Sequence, residues 1–281
     1  MSQKLPTFDL VVATIGRVSE LDQLFTSLEF QTHQDFRVIV VDQNPDDSLR
    51  PVLEGTGLEV LHVRSTPGLS RARNAGLEHV TADVVAFPDD DCAYDQDVLG
   101  HVGRLLARDP RLDGVTGRSV DRGGRSSPSW KRDAALLNDH NLWNRAISYT
   151  IFLRRDVVER VGAFDERLGL GSSEPWSSGE EIDYLIRAVR GGARITYDPS
   201  LTVHHEERAR DIGFRDGATV GYLLRKHRYP RRTVARMLVR PAGGTVASLA
   251  RLDRTRARFH AATLRGRLRG YRDTSSENNV E

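Results

Sequence analysis

Short apolar runs alternate with amphipathic stretches along the first two-thirds of this 281-residue chain. Four β-branched runs predict strands, and each is apolar at nearly every position, as expected for strands buried on both faces. Between the first two runs, apolar residues recur at helical spacing from Leu21 to Leu28, which predicts a βαβ unit. We therefore expect an α/β fold with a mostly parallel sheet flanked by helices. The four predicted strands are Asp9–Thr14, Arg37–Asp42, Leu58–Val63 and Asp83–Pro88.

The pattern after Asp91 is more mixed but still alternates strands with helices. Its clearest helix is EEIDYLIRAVRGG, where the apolar positions share one face and Gly191 favours a left-handed end. The other predicted elements are a helix over Asp97–Arg108, strands near Gly114–Val120 and Ser148–Arg155, a helix in VVERVG and two short strands, ARITY and LTVHH.

Composition narrows the class of protein. The one cysteine, Cys92, excludes an internal disulfide framework and a thiolate metal cluster, and it indicates a reducing compartment. The first residues lack the apolar segment of a signal peptide, and no apolar run reaches the roughly 18 residues of a membrane span. We expect a cytoplasmic protein of enzyme size.

Positive charge is concentrated towards the C-terminal end. The net charge is only +2, yet Arg208 to Arg272 contains eighteen Lys or Arg against three Asp. Such a region suits an anionic lipid surface, nucleic acid or an acidic substrate, or it is a solvated helical surface. Within this region, apolar residues at three- and four-residue spacing predict a helix. That helix either lies on an anionic membrane or packs on the preceding domain. Its apolar stripe is Ala257, Ala261, Leu264, Leu268 and Tyr271.

The stretch FPDDDC places three carboxylates, Asp89 to Asp91, at the end of a predicted buried strand. Like charges there repel one another and lose hydration, so a bound cation would resolve the conflict. Carboxylates and substrate phosphates together form the usual shell of Mg²⁺ or Mn²⁺. The alternative is an acidic turn that caps the following helix. Polar residues from Thr14 to Arg17 and Asp42 also end strands, and the ends of parallel strands converge on one crevice.

The stretch TPGLSRARNAG places Arg71 and Arg73 in the first turn of a predicted helix. Cations oppose the helix dipole there, so an anionic partner is expected. Phosphate fits because helix N–H groups and arginine both bind it. The alternative is that both arginines pair with the aspartates of the neighbouring strand end.

Two further groups of residues each allow a structural and a functional interpretation. Glu180, Glu181 and Asp183 begin a helix, where they either form capping boxes with the preceding serines or supply a general base towards a hydroxyl. His204 and His205 end the last predicted strand, and because a strand alternates faces only one of them can face the crevice. Taken alone, that histidine is a packed or surface residue.

Six motifs in this order, ATIGR, VVDQN, GLSRARNAG, FPDDDC, GEEIDYLIRA and DPSLTVHH, resemble those of bacterial family 2 glycosyltransferases. The resemblance runs from Phe8 to His205. It implies a GT-A fold and an inverting transfer of sugar from a UDP-, dTDP- or GDP-sugar to a glycan or lipid-linked acceptor in cell-surface polysaccharide or glycolipid synthesis.

Residue by residue, the resemblance implies a donor site. Asp89 and Asp90 would bind the ribose and orient the site, and Asp91 would coordinate Mn²⁺ or Mg²⁺. His205 would complete the metal shell, with His204 as the alternative. The residues that it puts next to the nucleotide and its diphosphate are Thr14, Gly16, Arg17, Asp42, Arg71, Arg73 and Asn74, with Asp42 at the base.

The resemblance also implies an acceptor side. Glu181 occupies the position of the catalytic base, where the family typically has an aspartate, and Glu180 is the alternative. Trp176 is either a sugar-stacking platform or a core or lid residue, and Asp183 is assigned to the acceptor side with it.

The resemblance and the composition together predict the domains. The resemblance predicts a catalytic domain over 1–210, with a nucleotide-sugar half to about 118 and an acceptor half after it. Composition predicts a basic helical region over 211–272 and a disordered tail over 273–281.

Two other functions compete with this one. A nucleotidyltransferase would ordinarily carry a glycine- and arginine-rich loop with a lysine directly after the first strand, whereas ATIGRVSEL has one glycine and no lysine. A nucleic-acid-binding module would explain the basic C-terminal region, but its aromatic residues are sparse and do not alternate with the basic ones. We therefore expect no nucleic-acid partner, and a contact with the inner membrane leaflet remains a hypothesis.

Overall fold

The computed structural model describes residues 4–127, 129–172, 174, 176, 178–206 and 213–273. The strands are β1 (Phe8–Thr14), β2 (Phe36–Asp42), β3 (Val60–Arg64), β4 (Val84–Ala86), β5 (Cys92–Tyr94), β6 (Gly114–Val120), β7 (Ala135–Leu136), β8 (Ile151–Arg154) and β9 (Ile195–His205). The α-helices are α1 (Val18–Glu29), α2 (Arg50–Gly55), α3 (Leu69–Leu77), α4 (Val98–Arg108), α5 (Arg155–Val161), α6 (Glu180–Arg190), α7 (Gly213–Lys226), α8 (Arg231–Ala250) and α9 (Arg254–Arg272).

The strands form one sheet in the order β3-β2-β1-β4-β8-β6-β9-β5, with β7 paired to β9. The half from β3 to β4 is parallel, as its continuous apolar runs predict. The other half is mixed, because β8 runs antiparallel to both β4 and β6, and β5 runs antiparallel to β9. The predicted α/β class is confirmed, while the parallel character is confined to the first half and the β6–β9 pair.

The two short strands predicted near the end of the sheet are one strand, β9. It pairs with β6 on both sides of a register shift between Thr116 and Arg118. Gly117 occupies this irregular position, where a Cβ would overlap the carbonyl oxygen of Leu201. A bulge of this kind lets Pro199 remain inside a strand, because it interrupts the hydrogen-bond ladder locally.

The core lies on both faces of the parallel half of the sheet. The predicted apolar face of α1 is buried, and the side chains of β1 and β2 are buried at nearly every position. Helix α3 approaches the sheet closely at Gly76, where a Cβ would lie 2.5 Å from a methyl group of Val11. This close approach holds the C-terminal end of α3 against β1 and β2.

The described chain divides into two compact units, each with its own internal contacts. The first, which contains the sheet, comprises residues 4–164 and 184–206. The second comprises residues 165–183 and 213–273. This division groups residues 165–183 with the C-terminal helices, and Lys226 of α7 bonds to both Asp165 and Asp183. The domain boundary near residue 210 stays a prediction. The predicted tail, 273–281, lies outside the described residues except for Asp273.

In the second unit, α9 packs against both α7 and α8. The predicted helix from Ala257 to Tyr271 is confirmed and begins earlier, at Arg254. There the Asp253 side chain accepts a hydrogen bond from the Arg256 N–H at 3.0 Å. Its predicted apolar stripe is buried at Ala257 and partly buried at the other positions. Among the described residues, no helix combines the length and hydrophobicity needed to span a bilayer.

Candidate active site

The ends of β1, β2 and β4 meet at one edge of the sheet. Thr14 and Asp42 are register partners in the β1–β2 pair, and Asp89 forms a parallel bridge with Ala13 just beyond β4. Because strand pairing sets these positions, the three polar ends lie side by side. The convergence that the sequence predicts is therefore present in the fold.

The three aspartates have different partners. The Asp89 carboxylate accepts hydrogen bonds from Arg73 at 3.1 Å and from the Ser148 hydroxyl at 3.0 Å. The guanidinium of Arg17 bridges the other two, because its Nη1 lies 2.8 Å from Asp90 Oδ1 and 2.8 Å from Asp91 Oδ2. Two arginines thus hold the triplet in place.

Asp90 is the buried member of the triplet. Burial raises the pKa of its carboxyl to about 6, and the negative charge of Asp91 acts in the same direction. The neighbouring Thr14 hydroxyl and the Arg17 guanidinium offset this effect only in part. The ionised triplet is therefore electrostatically costly without further positive charge, as the sequence suggests.

The structure distinguishes His205 from His204. In the β5–β9 pair, His205 lies opposite Cys92 and its Nε2 is 3.1 Å from Asp91 Oδ1. The His204 ring points to the other face, where its Nε2 is 3.0 Å from Asp95 Oδ1. The His205 ring also stacks on Tyr149, with ring centroids 4.7 Å apart and planes 11° apart. Strand alternation thus directs His205, the preferred residue of the two, to the triplet.

A divalent cation fits this cluster. One ligand atom from each of Asp89, Asp91 and His205 lies within 4.8 Å of the others. Burial acts to lower the pKa of His205, but the hydrogen bond and charge of Asp91 outweigh it and the net shift is upward. The other ring nitrogen, Nδ1, is buried and has no hydrogen-bond partner among the described residues. Two carboxylates and one imidazole form a donor set that suits a first-row divalent metal.

The predicted base-binding residue, Asp42, is completely buried and already well bonded. Asn44 donates to it through its backbone N–H and its side-chain amide, at 2.9 and 2.8 Å. His62 and Arg64 approach its other oxygen at 3.0 and 3.1 Å. A cavity of about 370 Å³ opens beside these residues, and it is lined by Asp42, Asp47, Arg50, Leu53, Glu54, His62 and Arg64.

The loop after β1 is fixed by the loop after β2. Gly16 has φ 65°, in the left-handed region that favours glycine, and its N–H donates to Asn44 Oδ1 at 2.7 Å. Gly68, before α3, donates to the Gln43 side chain at 2.8 Å. Asn44 and Gln43 thus connect the three loops at this edge, a role that the sequence pattern does not reveal.

The three predicted residues of α3 have separate environments. Arg73 is buried, bonds to Asp89 and lies over the Phe164 ring at 5.6 Å. Arg71 is exposed, and its Nη1 donates to the carbonyl of Pro67 at 3.0 Å. Asn74 bonds through its amide to both the N–H and the carbonyl of Phe164, at 2.7 and 3.1 Å. Arg73 thus pairs with an aspartate of the strand end, as in the alternative interpretation of the sequence. Arg71 lies at the surface near the start of the helix.

The predicted acceptor residues belong to the second unit. Trp176 is 1% exposed and stacks on Tyr222, with centroids 4.4 Å apart, so its burial favours the core alternative over an open sugar platform. Asp183 is completely buried, with Lys226 Nζ at 2.6 Å and His227 Nε2 at 2.7 Å. These contacts give Asp183 a structural environment that the sequence does not indicate, because Lys226 and His227 lie far from it along the chain.

The two glutamates at the start of α6 differ in exposure. Glu180 is buried, whereas Glu181 is partly exposed. Of the two serines considered for capping boxes, Ser177 lies outside the described residues, and the Ser178 hydroxyl is 3.2 Å from Asp216 Oδ1. The preference for Glu181 as the base remains a prediction.

Comparison with known proteins places the chain in a family. The profile described as Glycosyl transferase family 2 matches residues 9–165. A pre-mycofactocin glycosyltransferase from Mycobacterium tuberculosis is 30% identical over 217 residues, 71% of this chain but only 42% of that protein. The succinoglycan biosynthesis protein ExoM from Rhizobium meliloti is 30% identical over 238 residues, 77% of this chain and 74% of ExoM. The chain thus spans less than half of the first relative and about three-quarters of the second.

Solved structures resemble the fold over nearly the whole chain. The mannosyltransferase PcManGT from Pyrobaculum calidifontis, in complex with GDP-Man and Mn²⁺, has a TM-score of 0.68 at 17% identity, covering 97% of this chain and 89% of that one. TarS from S. aureus, in complex with UDP-GlcNAc, has a TM-score of 0.61 at 15% identity, covering 94% and 91%. Together with the profile match, these likenesses show that the chain has the GT-A fold and belongs to glycosyl transferase family 2.

Proposed function

We propose that this protein transfers a sugar from a nucleotide-diphosphate sugar to an acceptor hydroxyl, with inversion at the anomeric carbon. The observation that carries the proposal is the cluster of Asp89, Asp91 and His205 at the carboxyl ends of the strands of a GT-A sheet. The two solved structures above hold a GDP-sugar and a UDP-sugar, which supports a donor of this class.

The same cluster would hold a divalent metal. Asp91 and His205 would be ligands, with Asp89 beside them, and Mn²⁺ suits the imidazole nitrogen better than Mg²⁺, which prefers oxygen ligands. When bound, the ion would neutralise negative charge on the leaving diphosphate. Arg73 and Ser148 orient the carboxylate of Asp89. Arg17 holds the carboxylates of Asp90 and Asp91. These contacts would orient the metal-binding carboxylates before the ion binds.

The acceptor hydroxyl would lose its proton to Glu181, with Glu180 as the alternative base. Partial exposure of Glu181 supports the first assignment, because a base must reach a substrate hydroxyl. The deprotonated oxygen would attack the anomeric carbon from the face opposite the diphosphate, which inverts the configuration in one step and needs no covalent enzyme intermediate.

The donor would be a UDP-, dTDP- or GDP-sugar, with Thr14, Gly16, Arg17, Asp42, Arg71, Arg73 and Asn74 around its nucleotide and diphosphate. The acceptor would be a glycan or a lipid-linked sugar in cell-surface polysaccharide or glycolipid synthesis. Relatives named for succinoglycan biosynthesis and for PGL/p-HBAD biosynthesis support this class. We place the reaction in the cytoplasm, at or near the inner leaflet of the membrane.

The neighbouring histidines of β9 provide a matched test. We expect His205→Ala to lower the transfer rate roughly 100-fold or more, as for loss of a group that stabilises transition-state charge, while His204→Ala stays near wild type. The measurement is sugar transfer from each donor class with and without Mn²⁺, and the anomeric configuration of the product is read by NMR.

Three outcomes would contradict the proposal. Equal losses in both variants would argue against a metal role for His205, and retention of the donor's configuration would exclude single-step inversion. Formation of a sugar nucleotide from sugar phosphate and nucleoside triphosphate would instead identify a nucleotidyltransferase.

A further inference from the structure

Helix α8 exposes apolar side chains on the side away from its helical neighbour. Its buried residues, Val234, Pro241 and Ser248, follow each other at intervals of seven, so they share one side of the helix. On the opposite side Val239 is 66% exposed and Val246 is 68% exposed. This is the reverse of the usual arrangement, in which the apolar side of a surface helix faces the protein.

The exposed apolar surface continues to the end of α8 and into the turn before α9. Leu249 is 56% exposed, and Leu252 in the turn is 88% exposed. Leu252 has φ 58°, a conformation that usually favours glycine, so a bulky apolar side chain stands at the tip of this turn. We call the set Val239, Val246, Leu249 and Leu252 the α8 surface.

Positive charge is dense in the segment that carries the α8 surface. Residues 231–258 contain eight arginines and a single acidic residue, Asp253, whose carboxylate is engaged at the start of α9. These arginines are all exposed, and they are Arg231, Arg232, Arg236, Arg240, Arg251, Arg254, Arg256 and Arg258.

We infer that the α8 surface docks on an anionic lipid bilayer. The aliphatic side chains of the α8 surface would enter the region between headgroups and acyl chains, and exposed arginines of the same segment would contact anionic headgroups. The inference rests on the proposed contact with the inner leaflet and identifies the surface that makes it. It also moves that contact away from the predicted stripe of α9, whose residues are buried or partly buried.

Charge argues against the other occupants of such a surface. A second copy of the chain would bring arginines against arginines, and residues 231–252 supply no carboxylate to pair with them. Nucleic acid would pair with the arginines but leave the four aliphatic side chains in water, and the surface has no aromatic residue on which bases could stack. An anionic bilayer satisfies both the charges and the apolar side chains.

The test is co-sedimentation of the 281-residue chain with vesicles, without nucleotide, metal or acceptor. We expect binding to vesicles that contain phosphatidylglycerol, weak binding to pure phosphatidylcholine, and release by salt. Val246→Glu and Leu252→Glu together should abolish binding, and Arg236→Gln should weaken it roughly fivefold, the effect of losing one basic contact. The matched controls are Phe30→Glu, at a residue 64% exposed on the first unit, and Arg111→Gln.

Binding by wild type that persists in the double variant would overturn the inference, as would the absence of binding to anionic vesicles. A dimer in light scattering that the double variant dissociates would assign the surface to a second copy. Equal melting temperatures of variants and wild type show that the fold is intact. Sugar transfer to a water-soluble acceptor is measured in a separate assay. Loss of vesicle binding with unchanged transfer supports docking. Loss of transfer with unchanged vesicle binding bears only on the proposed function.

Discussion

Glu180 and Glu181 are adjacent carboxylates in the first turn of α6, yet they differ in exposure. We expect Glu181→Gln to lower kcat roughly 10²- to 10⁴-fold, the range for loss of a general base, without a change in donor binding. Glu180→Gln is the matched control and should lower kcat much less. Steady-state kinetics with donor and acceptor varied separately decides between them, and a larger loss in Glu180→Gln would assign the base to Glu180.

Asp165 carries a second prediction at the residue scale. Its carboxylate lies 2.7 Å from Lys226 Nζ and 2.9 Å from Arg167 Nη2. Burial acts to raise the pKa of Asp165, but the hydrogen bonds from Arg167 and Lys226 outweigh it and hold the pKa well below its usual range. A lowered pKa in the folded state contributes stability above the unfolded pKa of about 3.9, and that contribution is lost as pH falls towards the folded pKa.

We therefore expect Asp165→Asn to lower the free energy of unfolding at neutral pH by about 2 kcal/mol, with the difference shrinking below about pH 4. Urea unfolding across this pH range measures the effect. Asp156→Asn breaks the exposed pair with Arg160 and should cost at most about 1 kcal/mol. A deficit in Asp165→Asn that does not change with pH would show that charge is not the cause.

At the scale of elements, α7 and α9 meet through glycines. A Cβ at Gly221 would overlap the carbonyl oxygen of Arg267, and a Cβ at Gly270 would overlap that of Ala218. The two helix backbones therefore pack against each other directly. The sequence shows these glycines, but the sequence alone does not indicate which helices they bring together.

We expect Gly221→Ala to lower the free energy of unfolding by about 1–3 kcal/mol or more, because the added methyl group has no space. Gly243→Ala is the matched control, since it also lies in a helix but has open space around it. There, alanine should be neutral or stabilising by up to about 1 kcal/mol through helix propensity. Denaturant unfolding monitored by circular dichroism compares the two, and equal effects would contradict the close packing.

At the scale of the whole molecule, the proposed donor should stabilise the fold only together with the metal. At a donor concentration of about 100 times Kd, we expect a gain of about 2.7 kcal/mol in the presence of Mn²⁺, from mass action alone. A panel of UDP-, GDP- and dTDP-sugars in thermal denaturation identifies the nucleotide. Asp91→Asn should lose the metal-dependent gain, whereas Asp95→Asn, which alters the His204 pair, should keep it. Full stabilisation after chelation would show that donor binding is independent of metal.

The sequence by itself determined the α/β class, the family and the order of the site motifs. Strand pattern and strand-end polarity are local properties, so FPDDDC, VVDQN and GLSRARNAG could be assigned to the ends of strands and the start of a helix without coordinates. The same reasoning preferred phosphate for the arginines of GLSRARNAG and kept pairing with the triplet as the alternative, and Arg73 follows that alternative.

Only the tertiary structure decided which side chains meet across long separations. Register in the β5–β9 pair selected His205 over His204, since a shift of one residue would exchange their faces. Packing of residues 165–183 with α7 buried Trp176 against Tyr222 and Asp183 against Lys226. The exposed side of α8 likewise depends on how α9 covers the other side. These contacts join residues distant in the chain, and no local pattern of hydrophobic and polar positions specifies them.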